Sequence, residues 1–230
     1  MIWAIVPAKT LEQAKTRLAS VLSPEERREL CLAMLRDVLG ALRGAGAEHL
    51  AGISVVTADA TIAETARALG AEVVVEQTTG QNAALEAGMA YCRERGASEV
   101  LIVSADLPLL CPATVAQLLA LARQSEQDRM VLLAPSRDGT GTNAMLQRPP
   151  GVIPLLFGVN SFQQHQQAAA GRGVQVDLVQ ADGLAFDVDL PADLIYLLSH
   201  PCQTHTQAVL AEMCLTERLR EPFYRATAVS

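Results

Sequence analysis

The chain has 230 residues and carries a net charge of −7. The length fits one α/β domain with a sizeable core. Half of the residues are hydrophobic but only 3% are aromatic, so the core must consist mostly of Ala, Leu and Val. The negative charge argues against nonspecific binding to nucleic acid, and a phosphorylated substrate would need a local basic pocket.

Cysteine, histidine and apolar spacings argue against three further classes of protein. The five cysteines show no C-x-x-C spacing, so we expect reduced, mostly buried thiols in a cytoplasmic protein. The four histidines form no H-x-x-x-H pair, which argues against a zinc site. The first apolar run ends at Pro7 without basic residues before it, and no run is long enough to span a bilayer. We therefore expect neither a signal peptide nor a transmembrane helix.

Short β-branched runs alternate with amphipathic runs, which predicts an α/β fold with a mostly parallel, Rossmann-like sheet and helices on both faces. The predicted strands are Ile2 to Val6, Ile53 to Thr57, Val73 to Val75, Val100 to Ser104 and Met130 to Ala134. Leu184 to Asp189 also alternates as a strand does. One predicted helix begins at Pro24, with Ser23 as its cap. Three more follow caps at Asp59, Asn82 and Ser161, and the others begin at Pro112, Pro191 and Gln203. Predicted helix ends are Gly44, Gly70, Gly96, Gly171 and, for the last helix, Arg220.

Lys9 and Lys15 are the only lysines, and both follow the first predicted strand. The other sixteen basic residues are arginine, so this placement suggests a function. Ligands of open α/β sheets bind beyond the carboxyl ends of the strands, where an ammonium can follow a phosphate as its charge builds. We interpret these lysines with Arg17 as a phosphate-binding loop. Two solvated lysines on a surface turn are the alternative.

Three aspartates form the acidic part of the predicted site. Asp106 follows the buried strand that ends at Ser104, and Pro108 stiffens the turn after it. Asp187 and Asp189 would share one face of an extended segment, roughly 7 Å apart at ~3.3 Å per residue. Two like charges that close favour a cation beside them, and Mg²⁺ prefers carboxylate and phosphate oxygens. The alternatives are a turn aspartate at Asp106 and a helix cap at Asp189.

Three small, polar segments complete the candidates. Residues 138–143, with Thr142 and Asn143, offer hydroxyls and backbone N–H groups to an anion. In residues 157–165, Gly158 permits close approach, Ser161 begins a helix, and His165 lies one turn into it. Gly80 and Asn82 could accept a flat base. A flexible turn, a Ser-capped helix and an Asn cap are the respective alternatives.

Taken in order, these segments resemble the CofC/FbiD guanylyltransferases. The resemblance covers Val6 to Lys9, Lys15 to Leu18, Leu22 to Arg27, Gly80 to Leu85, Asp106 to Pro108, Gly141 to Asn143, Phe157 and Gly158 with Ser161, and Asp187 to Asp189. Related sugar and molybdopterin nucleotidyltransferases open with a glycine-rich loop, whereas this chain has Pro7-Ala8-Lys9. The resemblance runs from about residue 2 to about residue 198.

The resemblance implies a nucleotidyltransferase fold and a step in the biosynthesis of coenzyme F-420. Such enzymes join GMP from GTP to 2-phospho-L-lactate, phosphoenolpyruvate or 3-phosphoglycerate and release pyrophosphate. It implies that the three aspartates hold Mg²⁺ and that Thr142, Gly158 and Ser161 hold the acid, with Asn143 and His165 added by position. The nucleotide is expected at Pro7, Ala8, Lys9, Lys15, Gly80 and Asn82, with Lys9, Lys15 and Arg17 as catalytic residues.

We expect residues 1–200 to form the nucleotidyltransferase domain. Residues 201–230 would add a C-terminal helix and tail to the same domain or form an oligomer contact. A homodimer is expected if the apolar positions of that helix, Val209, Leu210, Met213 and Leu219, do not pack on the domain. The rival functions are a related nucleotidyltransferase acting on a molybdopterin or sugar phosphate, and a nucleotide-binding protein without turnover.

Overall fold

The computed structural model describes residues 1–46, 49–76, 80–213, 215, 218 and 219. Seven strands form one sheet in the order β3-β2-β1-β4-β6-β5-β7. The strands are β1 (Ile2–Pro7), β2 (Gly52–Thr57), β3 (Glu72–Val75), β4 (Glu99–Val103), β5 (Met130–Pro135), β6 (Thr142–Arg148) and β7 (Gln175–Leu178). The helices are α1 (Pro24–Gly44), α2 (Ala60–Ala68), α3 (Gln81–Glu94), α4 (Pro112–Gln124), α5 (Ser161–Ala170), α6 (Asp182–Ala185), α7 (Pro191–Ser199) and α8 (His205–Glu212). The predicted α/β class with a mostly parallel sheet is confirmed.

The order of the strands reverses next to β1, and this reversal determines where a ligand can bind. From β1 the chain continues outward through β2 and β3, and then returns to place β4 on the other side of β1. β1 pairs in parallel with both β2 and β4. Ligands of such sheets bind in the crevice outside the carboxyl ends of the strands at this switch point. We refer to this edge of the sheet as the carboxyl edge.

Among the strands of the described residues, β6 alone is antiparallel to both of its neighbours, β4 and β5. The first residues of β6 therefore lie at the carboxyl edge, beside the end of β4. Ser104 donates its backbone N–H to the carbonyl of Asn143 at 2.9 Å, which joins the two segments. Thr142 and Asn143 consequently lie near Asp106.

The core occupies both faces of the sheet. Alternate residues of β1 show this, since Ala4 packs on one side with α1 and α4, while Ile5 packs on the other with α3. A third apolar cluster joins α1 to α7 and α8 and includes Leu210 and Leu219. Leu210 and Leu219 thus pack on the domain, and the homodimer stays a prediction. Within the described part of the chain, no helix combines the length and apolar character needed to cross a bilayer.

Helix starts that depend on a local cap were predicted well. Ser23 accepts from the backbone N–H of Glu26, whose carboxylate accepts from Ser23 in return, as a capping box requires. Asp59 accepts from the backbone N–H groups of Thr61 and Ile62 at the start of α2. The predicted caps at Asn82 and Ser161 are wrong by one or two residues, because Gly80 and Asn160 hold those positions.

Three further predictions need correction. Strands β6 and β7 were not predicted, since the first begins with polar residues and the second is a short edge strand. The segment 186–189 is not a strand; it lies outside the sheet, although Phe186 and Val188 are buried as the alternation predicted. The last predicted helix is α8, and residues 214, 216, 217 and 220–230 lie outside the described residues.

Candidate active site

Lys15 links the two acidic segments across the switch point. Its Nζ donates to Asp106 Oδ2 at 2.5 Å and to Asp189 Oδ1 at 2.9 Å. The Lys15 side chain is only 10% exposed, against 28% for Asp106 and 44% for Asp189. Arg17 adds a longer contact of 3.4 Å to the other oxygen of Asp189 and is 71% exposed. The Lys15 ammonium therefore joins three segments, which are the loop after β1, the loop after β4 and the segment before α7.

The backbone around Lys15 explains how its side chain reaches inward. Leu11 earlier in the loop donates its N–H to Asp59 Oδ2 at 3.0 Å, which ties the loop to the start of α2. Lys15 itself adopts a left-handed conformation, with φ of 52°, immediately before the 3-10 turn Thr16–Leu18. This conformation is uncommon for residues other than glycine. The buried Leu18 then anchors the far end of the turn.

Asp187 is held by Asn143 at the start of β6. The Asn143 amide nitrogen donates to Asp187 Oδ1 at 3.2 Å and also to the backbone carbonyls of Leu184 and Ala185. Asn143 is buried, so its amide is directed at the 184–187 segment. Its amide nitrogen thus bonds within the protein, and its direct contact with the acid substrate stays a prediction.

Asp193, which the sequence analysis did not single out, sets the position of Asp189. Its Oδ2 accepts from the backbone N–H groups of Asp189 and Leu190 at 2.9 and 2.7 Å. Asp193, rather than Asp189, thus satisfies the N-terminus of α7. The other oxygen of Asp193 accepts from Arg137 at 2.6 Å. An acid at the third residue of a Pro-initiated helix is the sequence signal that could have revealed this cap.

The charges at the site shift the pKa of each neighbouring group. Burial lowers the pKa of Lys15, but the charges of Asp106 and Asp189 outweigh it and leave that pKa raised. Burial raises the pKa of Asp189, but the charge of Lys15 and its hydrogen bond leave that pKa lowered overall. Lys9 is close enough to lower the same pKa further. Burial raises the pKa of Asp187; the Asn143 hydrogen bond lowers it and the charges of Asp106 and Asp189 raise it, so that it stays raised overall. A cation beside Asp187 would favour its charged form.

The three aspartates predicted to hold a metal ion do not form a ready-made cluster in the described residues. Within the part of the chain that the structure describes, no three Asp, Glu, His or Cys side chains form a group that could hold a metal ion alone. Two of the three predicted ligands, Asp106 and Asp189, instead share the Lys15 ammonium.

The residues predicted to bind the nucleotide differ in what they can offer. The Ala8 N–H is bonded to the carbonyl of Val56 at 2.9 Å, so it extends the sheet. Pro7 has no N–H to donate. Lys9 is exposed, and Gly80 is exposed with φ of 113° and open space where a Cβ would lie. Lys9 and Gly80 are therefore available to a ligand, and the nucleotide contacts of Pro7 and Ala8 stay predictions.

Asn82 joins the two predicted ligand loops. Its Nδ2 donates to the Phe157 carbonyl at 3.1 Å, and its Oδ1 accepts from the Phe157 N–H at 2.9 Å. This paired bond uses the amide that was predicted to read a base. Asn82 thus connects the start of α3 to the loop that carries Gly158.

At the predicted acid pocket, backbone N–H groups at the start of α5 already have partners within the protein. The Ser161 and Phe162 N–H groups already donate to the carbonyls of Gly158 and Thr140. Ser161 Oγ donates to Thr142 Oγ1 at 3.3 Å, which brings β6 and α5 together. Gly158 has φ of 136° and no atom within 4 Å of a Cβ built on it. His165 has no exposed surface, and its contact with the acid stays a prediction.

Comparison with known proteins gives a consistent result. The family described as "Guanylyl transferase CofC like" matches residues 2–226. A phosphoenolpyruvate guanylyltransferase of Rubrobacter xylanophilus is 45% identical over 85% of this chain and 93% of its own length. A 2-phospho-L-lactate guanylyltransferase of Methanothermobacter thermautotrophicus is 36% identical over 93% of this chain and 91% of its own. A 3-phospho-D-glycerate guanylyltransferase of Phenylobacterium zucineum is 37% identical over 87% and 91%.

Solved structures with low sequence identity share the fold. A protein from Desulfovibrio desulfuricans described as a nucleotide-diphospho-sugar transferase has a TM-score of 0.73 at 19% identity, over 96% of this chain and 97% of that one. Glucosyl-3-phosphoglycerate synthase of Mycobacterium tuberculosis, solved with Mn²⁺, UDP and phosphoglyceric acid, has a TM-score of 0.53 at 14% identity, over 85% and 73%. Both agree with a nucleotidyltransferase-like α/β fold.

Proposed function

The chain belongs to the CofC-like guanylyl transferase family, and on this premise we propose that it transfers GMP from GTP to a phosphorylated three-carbon acid. Its fold and family make it a nucleotidyltransferase that acts as a guanylyltransferase. Relatives named for phosphoenolpyruvate, 2-phospho-L-lactate and 3-phospho-D-glycerate define the class of acid. The activity is consistent with a step in the biosynthesis of coenzyme F-420.

The observation that carries this proposal is the shared ammonium of Lys15 at the switch point. The Lys15 side chain is 10% exposed, and its ammonium is bonded to the carboxylates of Asp106 and Asp189. This ammonium lies where a triphosphate would enter the crevice. Lys9 and Arg17 lie at the exposed rim of the same loop. The three cations would neutralise the triphosphate, with Lys15 fixed in advance and the other two free to follow the phosphates.

In the proposed reaction, a phosphate oxygen of the acid attacks the α-phosphorus of GTP. A new P–O bond forms, the bond between the α-phosphorus and its bridging oxygen breaks, and pyrophosphate leaves with that electron pair. The attacking phosphate is already a nucleophile as a dianion, so no side chain needs to act as a general base. The residues of this chain must instead bring two anions together and orient them for in-line attack.

A divalent cation fits the acidic part of this site, and we propose Mg²⁺. Asp187 would be a ligand, with Asp106 or Asp189 beside it. Mg²⁺ is usually bound by one or two carboxylates together with substrate phosphates and water, which suits carboxylates that form no complete protein cage. Such an ion supplies charge neutralisation at the reacting phosphates. Asn143 orients Asp187 towards that position through the 3.2 Å bond to its carboxylate.

The acid would bind on the β6 and α5 side. No atom lies within 4 Å of a Cβ built on Gly158, and the hydroxyls of Thr142 and Ser161 lie 3.3 Å apart where β6 meets α5. The Asn82 clamp on Phe157 holds this loop against the start of α3, where Gly80 faces the nucleotide side. We propose that this arrangement sets the distance between the two substrates.

Pyrophosphate release in a substrate panel tests the proposed function. Each of GTP, ATP, CTP and UTP is combined with phosphoenolpyruvate, 2-phospho-L-lactate, 3-phosphoglycerate, a sugar 1-phosphate or molybdopterin, in the presence of Mg²⁺. We expect release with GTP and at least one of the three acids, and a guanylylated acid by mass spectrometry. Turnover confined to sugar phosphate or molybdopterin would identify a related nucleotidyltransferase. Nucleotide binding without any turnover would contradict an enzymatic function.

A further inference from the structure

A buried hydrogen-bond chain lies behind the candidate acid pocket. The backbone N–H of Leu156 donates to His165 Nε2 at 3.0 Å, and His165 Nδ1 lies 3.0 Å from Thr142 Oγ1. Ser161 Oγ in turn lies 3.3 Å from the same oxygen. Thr142, Ser161 and His165 are all buried. The edge of the His165 ring also contacts the Phe157 ring, with centroids 4.9 Å apart.

The Leu156 contact determines the tautomer of His165. A backbone N–H can only donate, so Nε2 must accept and cannot carry a proton. The imidazole is neutral in this environment, since burial lowers the pKa of His165 to about 4. Its one proton therefore lies on Nδ1. It follows that Nδ1–H donates to Thr142 Oγ1, and that Thr142 is the acceptor in this contact.

A count of the hydrogen-bond donors and acceptors at Thr142 then leaves the hydrogen of its hydroxyl without an assigned partner. A threonine hydroxyl has two acceptor positions and one hydrogen. His165 Nδ1–H and Ser161 Oγ–H occupy the two acceptor positions. Neither bond uses the Thr142 hydroxyl hydrogen, which must point away from both donors. Thr142 is the first residue of β6 and lies at the carboxyl edge, where the acid is proposed to bind, so this unused hydroxyl hydrogen is the group it could offer to that substrate.

We propose that His165 is a positioning residue that turns the Thr142 hydroxyl into a fixed donor for the anionic acid substrate. This inference rests on the proposed function and extends it. Without the bond from His165, the Thr142 hydroxyl could rotate and donate inward to a neighbouring acceptor. With it, the donor is oriented before the acid arrives, and no reorganisation is needed when the anion binds. His165 itself never touches the substrate.

Two conservative substitutions separate the two bonds of His165. Asparagine places an amide N–H near the position of Nδ1, so His165→Asn keeps the donor to Thr142 and loses the acceptor for Leu156. Glutamine extends to the position of Nε2, so His165→Gln keeps that acceptor and loses the donor. His165→Gln should raise the KM for the accepted acid about tenfold, because a hydrogen bond to a charged group is weakened. The KM for GTP should stay within about twofold of the wild-type value. His165→Asn should keep both KM values within about threefold while lowering stability.

A double-mutant cycle tests whether His165 acts through Thr142. Thr142→Val removes the hydroxyl at nearly constant shape and should raise the KM for the acid by about 10- to 100-fold. In that background, His165→Gln should add less than about a twofold further increase. Gln167→Ala, at an exposed position of the same helix, is the control and should match the wild type. An undiminished effect of His165→Gln in the Thr142→Val background would overturn the proposal.

The tautomer can be measured without any substrate. Long-range ¹H–¹⁵N correlation spectra of the wild-type protein should show His165 protonated at Nδ1 and not at Nε2, with no titration between pH 8 and pH 5. An Nε2–H tautomer would overturn the proposal even if the kinetics agreed. If the wild type transfers no guanylyl group to any acid, the proposed function fails. If it does and the cycle is additive, only the role of His165 fails.

Discussion

Replacing Lys15 by methionine tests whether its ammonium is the group that holds the site together. Methionine has a similar length and removes the charge. The change leaves Asp106 and Asp189 without their shared donor, at the 2.5 and 2.9 Å contacts. Two hydrogen bonds to charged groups would be worth roughly 3–6 kcal/mol together if fully buried. Because Asp106 is 28% and Asp189 44% exposed, solvent screening reduces this, and we expect a loss of about 2–3 kcal/mol.

That loss corresponds to a decrease in Tm of about 4–12 °C for a domain of this size. Urea unfolding would give the free energy directly, with and without Mg²⁺. Added Mg²⁺ should raise the midpoint more for Lys15→Met than for the wild type, since the ion can replace the missing positive charge beside the carboxylates. The same variant should lose about 10²–10³-fold in kcat/KM, because it lacks the fixed positive charge that we propose stabilises the reacting triphosphate.

Lys9→Met is the matched control, because Lys9 is exposed on the same loop. Its unfolding free energy should stay within about 0.5 kcal/mol of the wild type, although GTP binding should weaken, more so at low salt. If Lys15→Met unfolds at the wild-type midpoint, the ammonium does not hold the acidic segments together. Equal losses in the two lysine variants would also refute the reasoning.

Three further predictions follow from other groups at the site. Asp187→Asn should lower kcat by at least about 10²-fold, because the variant loses the carboxylate charge proposed to lie beside the reacting phosphates. Circular dichroism should show the fold intact. Near wild-type turnover in Mg²⁺ would exclude Asp187 as a metal ligand. Asn82→Ala should raise the KM for the acid as well as for GTP, because its paired bond holds Phe157 next to Gly158; an effect on GTP alone would mean that Asn82 reads the base. The pKa of His165 is lowered to about 4, so its contribution to stability is present above the ordinary pKa near 6.5 and is lost as the pH falls towards 4. The wild type should therefore lose up to about 3 kcal/mol more than His165→Asn between pH 6.5 and pH 4, and equal losses in urea titrations would contradict the assignment.

The parts of the fold that depend on local pattern could be predicted from the sequence. The apolar run of β4 and the caps at Ser23 and Asp59 are signals within a few residues, and the structure has them where expected. β6 could not be predicted because its first residues, including Thr142, are polar and typical of a turn. They are buried here because an antiparallel strand places them between β4 and β5.

The composition of the site was predicted better than the role of each residue. Lys15, Asp106 and Asp189 were expected at one edge of the sheet, and the structure brings them together. Asn82 and Asn143 were expected to face ligands, but their amides bond segments 75 and 44 residues away in the chain. Such partners are set by the tertiary fold, so no spacing in the sequence could have revealed them.

Transfer of an isotopic label from the acid tests the central claim most directly. The accepted acid is prepared with ¹⁸O in the nonbridging oxygens of its phosphate and is incubated with GTP and Mg²⁺. If this phosphate attacks the α-phosphorus, ³¹P NMR and mass spectrometry should find ¹⁸O in the bridge of the guanylylated acid and none in the pyrophosphate released. Label in the pyrophosphate, or GDP as the nucleotide product, would contradict guanylyl transfer at this site.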